Sequence, residues 1–291
     1  MKGVILVENS FVHPYMPNSV PENKKAMLDE LGINSVEDIY KSIIPDELLY
    51  KERLDIPEPI RSEYELKRHV MGILNRDITT EEYTSFLGAG CYKHQVPAIC
   101  DEINSRGEFL TAYCGDTYSD HGKMQSIFEY TSMMGELLDT DVVSYTTYDG
   151  GQAVASSLRM AVRAVREKGM AGKVILVPKT MNPEIYSQVV QYCRNVAEVR
   201  KIAYEPETGL MDLEELKEQL AKKNVAAVFF ENPTYLGNFE TRGEEIAKLA
   251  HDAGAYCVVQ TEVAALGIME SPVNQGADIV CGDIQPLGMH I

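Results

Sequence analysis

The sequence predicts an α/β protein with a mostly parallel sheet over residues 83–291, preceded over residues 1–82 by an N-terminal arm and a helical region. Three observations carry this expectation. From Val142 onward, apolar β-rich runs alternate with helical periods, which is the pattern of crossover units between parallel strands. Two of the runs, Ala226-Ala-Val-Phe-Phe230 and Tyr256-Cys-Val-Val259, are continuously apolar, as strands covered on both faces must be. Ahead of residue 83 the periodicity is helical instead, with an extended, proline-punctuated start.

In chain order, residues 1–20 read as an arm, and Asn23–Leu31 and Ser35–Ser42 as short helices. Ser35-Val-Glu-Asp38 has the form of a capping box, a hydroxyl facing the first turn with an acid three residues on. Glu63–Leu74 is a helix with Leu66, Val70 and Leu74 on one face. A strand is expected at Val142–Tyr148, then a helix at Gln152–Lys168 and a strand at Lys173–Val177. Helix Pro183–Asn195, strand Glu198–Ile202, helix Asp212–Lys222 and strand Ala226–Phe230 follow. Helix Arg242–Ala253 and strands Tyr256–Gln260 and Ile279–Cys281 complete the series. No repeat or low-complexity segment interrupts it.

A chain of 291 residues, 45% hydrophobic, holds enough apolar material for one large domain and a smaller appendage. Its 27 basic and 44 acidic residues give a net charge of −17, a field that repels phosphate backbones and anionic lipid, so nucleic acid and membrane surfaces are poor partners. No apolar stretch is long enough to span a bilayer. Glu8 and the prolines after it spoil a signal peptide, which leaves the cytoplasm as the expected location. The six cysteines, Cys91, Cys100, Cys114, Cys193, Cys257 and Cys281, show neither CxxC nor metal-ligand spacing, so reduced and mostly buried thiols are expected and no metal site. Cys91 and Cys114, in Gly-rich loops, are the two worth testing for reactivity.

The chemically informative unit is Tyr148-Asp149-Gly150-Gly151-Gln152-Ala153, between a strand and a long Ala-rich helix. Glycines at such a turn let backbone N–H groups approach an anion, and the helix N-terminus favours negative charge there. The turn resembles the one with which pyridoxal-phosphate (PLP) enzymes of the aspartate-aminotransferase fold, fold type I, hold the cofactor phosphate. It equally serves to pack a helix on a sheet, and spacing alone leaves both readings open. In that fold a strand end delivers an Asp to the pyridinium nitrogen. The matching strand here ends in Gln260, whose amide supplies no charge. About twenty residues later the fold places its Schiff-base lysine. The matching segment, Gly276-Ala-Asp-Ile-Val-Cys-Gly-Asp-Ile-Gln285-Pro-Leu-Gly288, carries Gln285, where no Schiff base can form.

Five segments carry a closer resemblance: Ser85-Phe-Leu-Gly-Ala-Gly-Cys-Tyr-Lys-His94-Gln-Val-Pro97, Ile127-Phe-Glu-Tyr130, Tyr148-Asp-Gly-Gly151, Glu231-Asn-Pro233 with Gly237, and Gly282-Asp-Ile-Gln-Pro-Leu-Gly288. Together they resemble glycine dehydrogenase (decarboxylating) subunit 1 of the glycine cleavage system P-protein, from about His13 to the end. The resemblance implies a half enzyme. Its PLP is held covalently by a lysine-bearing subunit 2, and the pair removes CO2 from glycine and passes the aminomethyl group to a lipoylated carrier, the H-protein. Two such pairs form a heterotetramer (α2β2). It further implies that Ser85, Tyr92, His94 and Tyr113 line the neighbour's active site, and that Asn232, Gln260 and Gln285 mark a degenerate cofactor pocket. For His94 a packing role weighs equally; Tyr92 also fits as a structural aromatic and Ser85 as a turn cap.

Two stretches depart from the family pattern. Thr111-Ala-Tyr-Cys-Gly-Asp-Thr-Tyr-Ser-Asp-His-Gly122 lacks a Pro-Tyr-Gln core, and Asn182-Pro183 stands where the family has His-Pro. The rebuilt 114–121 loop motivates one alternative, a diverged subunit acting on another amino acid; a second is a non-catalytic scaffold or regulatory relative that kept the fold and lost its ligand. Asp116, Asp120 and His121 are expected to form a solvated loop rather than a metal site. Relatives continue past the last turn with a small C-terminal domain, so a chain ending at Ile291 is expected to be incomplete.

Overall fold

The computed structural model describes residues 12–50, 52, 54–86, 94–107 and 121–290, with the side chains of 121–123 excluded. It divides into two compact units, Met1–Asp77 and Ile78–Ile291, ahead of residue 83 where the sequence changes texture.

The first unit contains helices α1 (Pro21–Leu31), α2 (Glu37–Lys41) and α3 (Glu63–Leu74). Pro21 opens α1 with its φ already helical, and Gly32 closes it at φ 67°, a left-handed cap that Gly adopts without strain. Only the acid half of the expected capping box forms. Asp38 Oδ2 accepts from Asn34 N and Ser35 N, each at 3.1 Å, but α2 starts at Glu37, which puts the Ser35 hydroxyl one residue too early to cap it. At α3 the Ser62 hydroxyl accepts from Glu65 N. None of the described residues from 12 to 77 is buried.

The second unit is a five-stranded, wholly parallel sheet in the order β2-β1-β3-β4-β5. The strands are β1 (Val174–Pro178), β2 (Glu198–Ile202), β3 (Val225–Asn232), β4 (Tyr256–Glu262) and β5 (Ile279–Asp283). Helices α4 (Ala98–Asn104) and α5 (His121–Leu138) precede the sheet; α6 (Gly150–Glu167), α7 (Pro183–Cys193), α8 (Leu213–Leu220) and α9 (Gly243–Asp252) cover it. On one face Val154, Leu158, Val162 and Val165 of α6, with Val189 of α7, pack on Ile175, Val177, Phe229 and Val258. On the other, Leu216 and Leu220 of α8 and Ile246 and Ala250 of α9 meet Leu176, Val228, Phe230 and Val259. Fully buried side chains of this size each contribute about 1.5–3 kcal/mol, so the double-faced core sets the stability of this unit.

Two expectations need correction. No strand forms at Val142–Tyr148, where Val142 is 83% and Tyr148 93% exposed. β-branched residues favour a half-buried pleated surface, and this run has no adjacent strand to supply one. The sequence reading also named no helix over 121–138, where the 18-residue α5 lies. Its Met134 and Leu138 close a small core with Val263.

Candidate functional site

In open parallel sheets, ligands bind beyond the carboxyl ends of the strands, where the chain leaves one strand for opposite sides of the sheet. Here that point lies between β1 and β3. It is nearly filled. Asn182 N, just after β1, donates to both oxygens of Glu231 at 3.2 Å, and the gap between Thr180, Met211, Phe230, Glu231 and Glu240 leaves about 10 Å³, at most one water.

A polar row runs across the carboxyl edge. Glu231, Gln260 and Cys281 are register partners on β3, β4 and β5. Strand alternation puts them on the face of Phe229, Val258 and Ile279, under α6. Glu231 is 5% exposed, and burial pushes its carboxyl up to about 7 against the opposing backbone donors of Asn182 and Tyr235. Gln260 Oε1 is buried with no hydrogen-bond partner. Burial likewise raises the Cys281 thiol to about 12, with the Glu231 charge adding to it, so it is no nucleophile near neutral pH. The Cys257 thiol is pushed up to about 12 for the same reason, and Cys193 is raised by burial. The four cysteines among the described residues are free thiols, as expected.

The glycine turn abuts the end of this row. Asp149 caps α6, its Oδ1 accepting from Gln152 N at 2.6 Å, while Gln152 Oε1 accepts from Tyr148 N at 3.0 Å. The pair resembles a capping box, except that the Gln152 side chain reaches the residue before the cap rather than the cap's own N–H. Gly150 lies against Asp283, where a Cβ would stand 3.3 Å from Asp283 Cβ and 3.5 Å from Oδ2; a Cβ on Gly151 would meet the Gln188 amide at 2.5–2.7 Å. Both glycines are therefore used for close packing, and two carboxylates, Asp149 and Asp283, flank the helix N-terminus.

Gln285 opens a short 3-10 turn, Gln285–Leu287, its backbone N–H donating to Asp283 Oδ1 at 2.8 Å. Residues 94–101 grip this turn. His94 Nε2 donates to Met289 O at 2.6 Å, His290 Nε2 pairs with Asp101 Oδ1 at 2.7 Å, and Gly288, at φ 111°, backs onto Pro97. His94, whose packing and functional readings weighed equally, thus ties its segment to the turn that carries Gln285.

Asn232 faces the other way from Gln260. It alternates with Phe229 and Glu231 and shares the α8/α9 face with Phe230. Buried at 3% exposure, its amide donates to Glu240 O and accepts from Glu240 N, closing the loop that follows β3. Its hydrogen bonds hold a loop, whereas its neighbour Glu231 stands in the row with Gln260. Tyr92, Tyr113, Cys91, Cys114, Asp116 and Asp120, and the His121 side chain, lie outside the described residues; Ser85 lies within them, exposed in a loop. Among the described residues no cluster of His, Cys, Asp or Glu suits a metal ion, and no helix is long and apolar enough to cross a membrane.

The residues at this edge do not fit a PLP of the chain's own. Gln285 has no amine, Gln260 no charge for a ring nitrogen, and a phosphate dianion at the glycine turn would face Asp149 and Asp283.

Comparison with known proteins agrees with the fold and with the motifs. Residues 13–291 match the family described as glycine cleavage system P-protein. A relative in Staphylothermus marinus, "Probable glycine dehydrogenase (decarboxylating) subunit 1", is 35% identical over 96% of this chain and 60% of its own length. One of the same description in Carboxydothermus hydrogenoformans is 38% identical over 94% of this chain and 60% of its own. The chain therefore spans about three fifths of the length of these relatives. A crystal structure of glycine decarboxylase (P-protein) of the glycine cleavage system, in inhibitor-bound form, superposes with TM-score 0.76 at 30% identity, covering 97% of this chain and 60% of that one. A crystal structure of Oryza sativa TDC with PLP and tryptamine shares the fold at TM-score 0.54 and 14% identity, over 97% of this chain and 66% of that one. The architecture is that of PLP-dependent enzymes of fold type I, and the chain belongs to the glycine cleavage system P-protein family.

Proposed function

We propose that this chain is the lysine-less half of a PLP-dependent glycine decarboxylase, working with a companion subunit that holds the cofactor covalently. The observation that supports the reading is Gln285, an amide at the head of the turn after β5, in the segment that we read as matching the one with the fold's Schiff-base lysine. Membership of the P-protein family, through relatives described as glycine dehydrogenase (decarboxylating) subunit 1, supports glycine as the substrate that loses CO2; passage of the aminomethyl group to a lipoylated carrier is part of the proposal. PLP, bound by the companion, supplies the electron sink for the charge left when CO2 departs.

This chain's own share is positional. The grip of His94 on Met289 and of His290 on Asp101 holds residues 94–101 against the Gln285 turn. That clasp is suited to presenting Ser85, Tyr92 and His94, with Tyr113, to the neighbouring site. The acidic glycine turn 149–152 is read as packing, not as phosphate holding. Two pairs are expected to assemble as α2β2 in the cytoplasm. The departure at 111–122 keeps a second substrate amino acid as the alternative.

Purified alone and incubated with PLP, the chain is expected to remain colourless and to release no CO2 from glycine. Co-expressed with a lysine-bearing P-protein subunit, it is expected to yield a coloured, active complex. A coloured and active isolated chain, or a cofactor adduct found on one of its own lysines after borohydride reduction, would sink the proposal. A panel of amino acids given to the complex decides the alternative.

A further inference from the structure

We infer that Glu231 is a proton-sensitive fastener at the switch point: neutral, it holds the loop after β1 against the loop after β3; ionised, it lets the two part and admits water. This goes beyond the two-subunit reading and does not rest on it. The two loops leave neighbouring strands for helices on opposite faces of the sheet, and Glu231, the last residue but one of β3, reaches both. Its two oxygens each accept from Asn182 N at 3.2 Å, and the carboxyl also accepts from the backbone of Tyr235. One side chain thus ties Asn182, the N-cap of α7, to a loop whose Tyr235 and Leu236 are exposed. Beside the tie lies the gap of about 10 Å³, which admits nothing larger than one water while the loops are closed.

Burial makes the tie depend on a proton. Glu231 is nearly inaccessible to solvent, and among the described residues no cation pairs with it. A charge there is stabilised by backbone N–H groups alone, whereas in opened loops it is hydrated. Opening therefore becomes easier once the carboxyl ionises, by the same linkage that governs unfolding. The surrounding groups do not take over this role. On the α6 side Gln260 and Ser157 are uncharged, and the Cys281 thiol, pushed up to about 12, keeps its proton. Across the gap Glu240 is paired with Arg242 and accepts from Met211 N at 2.8 Å. Lys179 and Glu184, flanking Asn182 in the chain, are exposed. As pH rises from 4.5 towards about 7 the closed loops lose their advantage over the open ones, and above that window the loss is complete.

The test follows backbone amide exchange in the full chain from about pH 5 to about pH 8, corrected for the intrinsic rise of exchange with pH. It compares Asn182 and Tyr235 with Val228 and Val258 in the core strands. In the native chain, protection at Asn182 and Tyr235 is expected to fall at least about tenfold over this range. The ceiling is roughly 70-fold, set by the gap between 4.5 and about 7. Protection there is also expected to stay below that of Val228 and Val258 at every pH, as a local opening requires. Glu231→Gln has the same shape and no charge, and is expected to keep its low-pH protection at pH 8. Loop amides that exchange only in step with the core overturn the inference, because no local opening then exists. So does protection that is independent of pH in the native chain, or an equal fall in the Gln variant. If the variant does not fold, the comparison of loop and core amides in the native chain decides by itself.

Discussion

Glu231 and Gln260 sit side by side on β3 and β4, a buried carboxyl pushed up to about 7 beside an amide whose oxygen has no hydrogen-bond partner. Neither arrangement favours stability. A carboxyl desolvated without a cation destabilises its charged form, and a buried acceptor left unpaired costs about 1–3 kcal/mol. Two such groups in one row, at the strand ends where the fold places its chemistry, mark this edge as kept for something other than packing.

The first prediction concerns pH. Below about pH 4.5 the Glu231 carboxyl is neutral in both the folded and the unfolded chain, so its contribution is fully present there. As pH rises towards about 7 the unfolded chain ionises freely while the folded one resists, so stability falls through that window and then levels off. The gap between 4.5 and about 7 corresponds to roughly 3 kcal/mol at most. Chemical denaturation between pH 5 and 8 should show a steeper loss in the native chain than in Glu231→Gln. Equal slopes would place the carboxyl in a more hydrated setting than described.

Gln260 gives the second. Replacing it by leucine removes the orphaned acceptor and extends the apolar surface of Val258 beneath α6. The isolated chain should gain about 1 kcal/mol, seen as a raised denaturation midpoint with unchanged slope. A loss of stability would mean that the amide has a partner in solution.

Much of this architecture was legible because the local pattern is also the global one. The α3 helix and β2 have the bounds read from sequence, and the apolar runs at Ala226 and Tyr256 became strands buried on both faces. Val142–Tyr148 misled because strand propensity says nothing about whether a neighbour is available to pair. The sequence singled out Gln260 and Gln285, and the structure puts Gln260 in the polar row of the strand ends and Gln285 at the head of the turn after β5. Glu231 entered only as part of the Glu231-Asn-Pro233 motif, although a carboxyl ending the apolar run Val225–Phe230 is buried with its strand. The facing of Asn232 needed the strand register: β parity after Phe229 assigns Glu231 and not Asn232 to the row beneath α6.

Asn232 supplies the third prediction. Its amide makes two hydrogen bonds to the backbone of Glu240, and Asn232→Ala leaves that buried N–H and C=O to find other partners. A loss of about 2–3 kcal/mol is expected, with the loop to Glu240 becoming the first site of proteolysis. If Asn232 acted mainly on a ligand, the isolated chain would keep its stability and only the complex would change.

The fourth separates charge from hydrogen bonding at the glycine turn. Asp149→Ala removes the cap on Gln152 N and should cost about 1 kcal/mol. Asp149→Asn retains an equally good cap and drops one of the two carboxylates flanking the helix N-terminus. Its stability should stay within about 0.5 kcal/mol of the native chain. A large loss in the Asn variant would show that the charge, not the cap, holds the turn.

Gly282 and Thr261 are register partners across β4 and β5, and a Cβ on Gly282 would collide with the Thr261 carbonyl oxygen. The obstacle is backbone, which cannot turn aside as a flexible side chain can, so β5 would have to move away from β4. That movement would loosen the parallel ladder and shift Asp283 and Gln285, which follow directly, out of register with the α6 turn. Gly282→Ala is therefore expected to cost about 2–4 kcal/mol in the isolated chain and to abolish activity in the complex. Gly267→Ala is the control: nothing lies within 4 Å of a Cβ there, and stability should change by no more than about 0.5 kcal/mol. Equal melting of the two variants would mean that β5 is free to shift, and the placement of Gln285 at the site's edge would lose its structural basis.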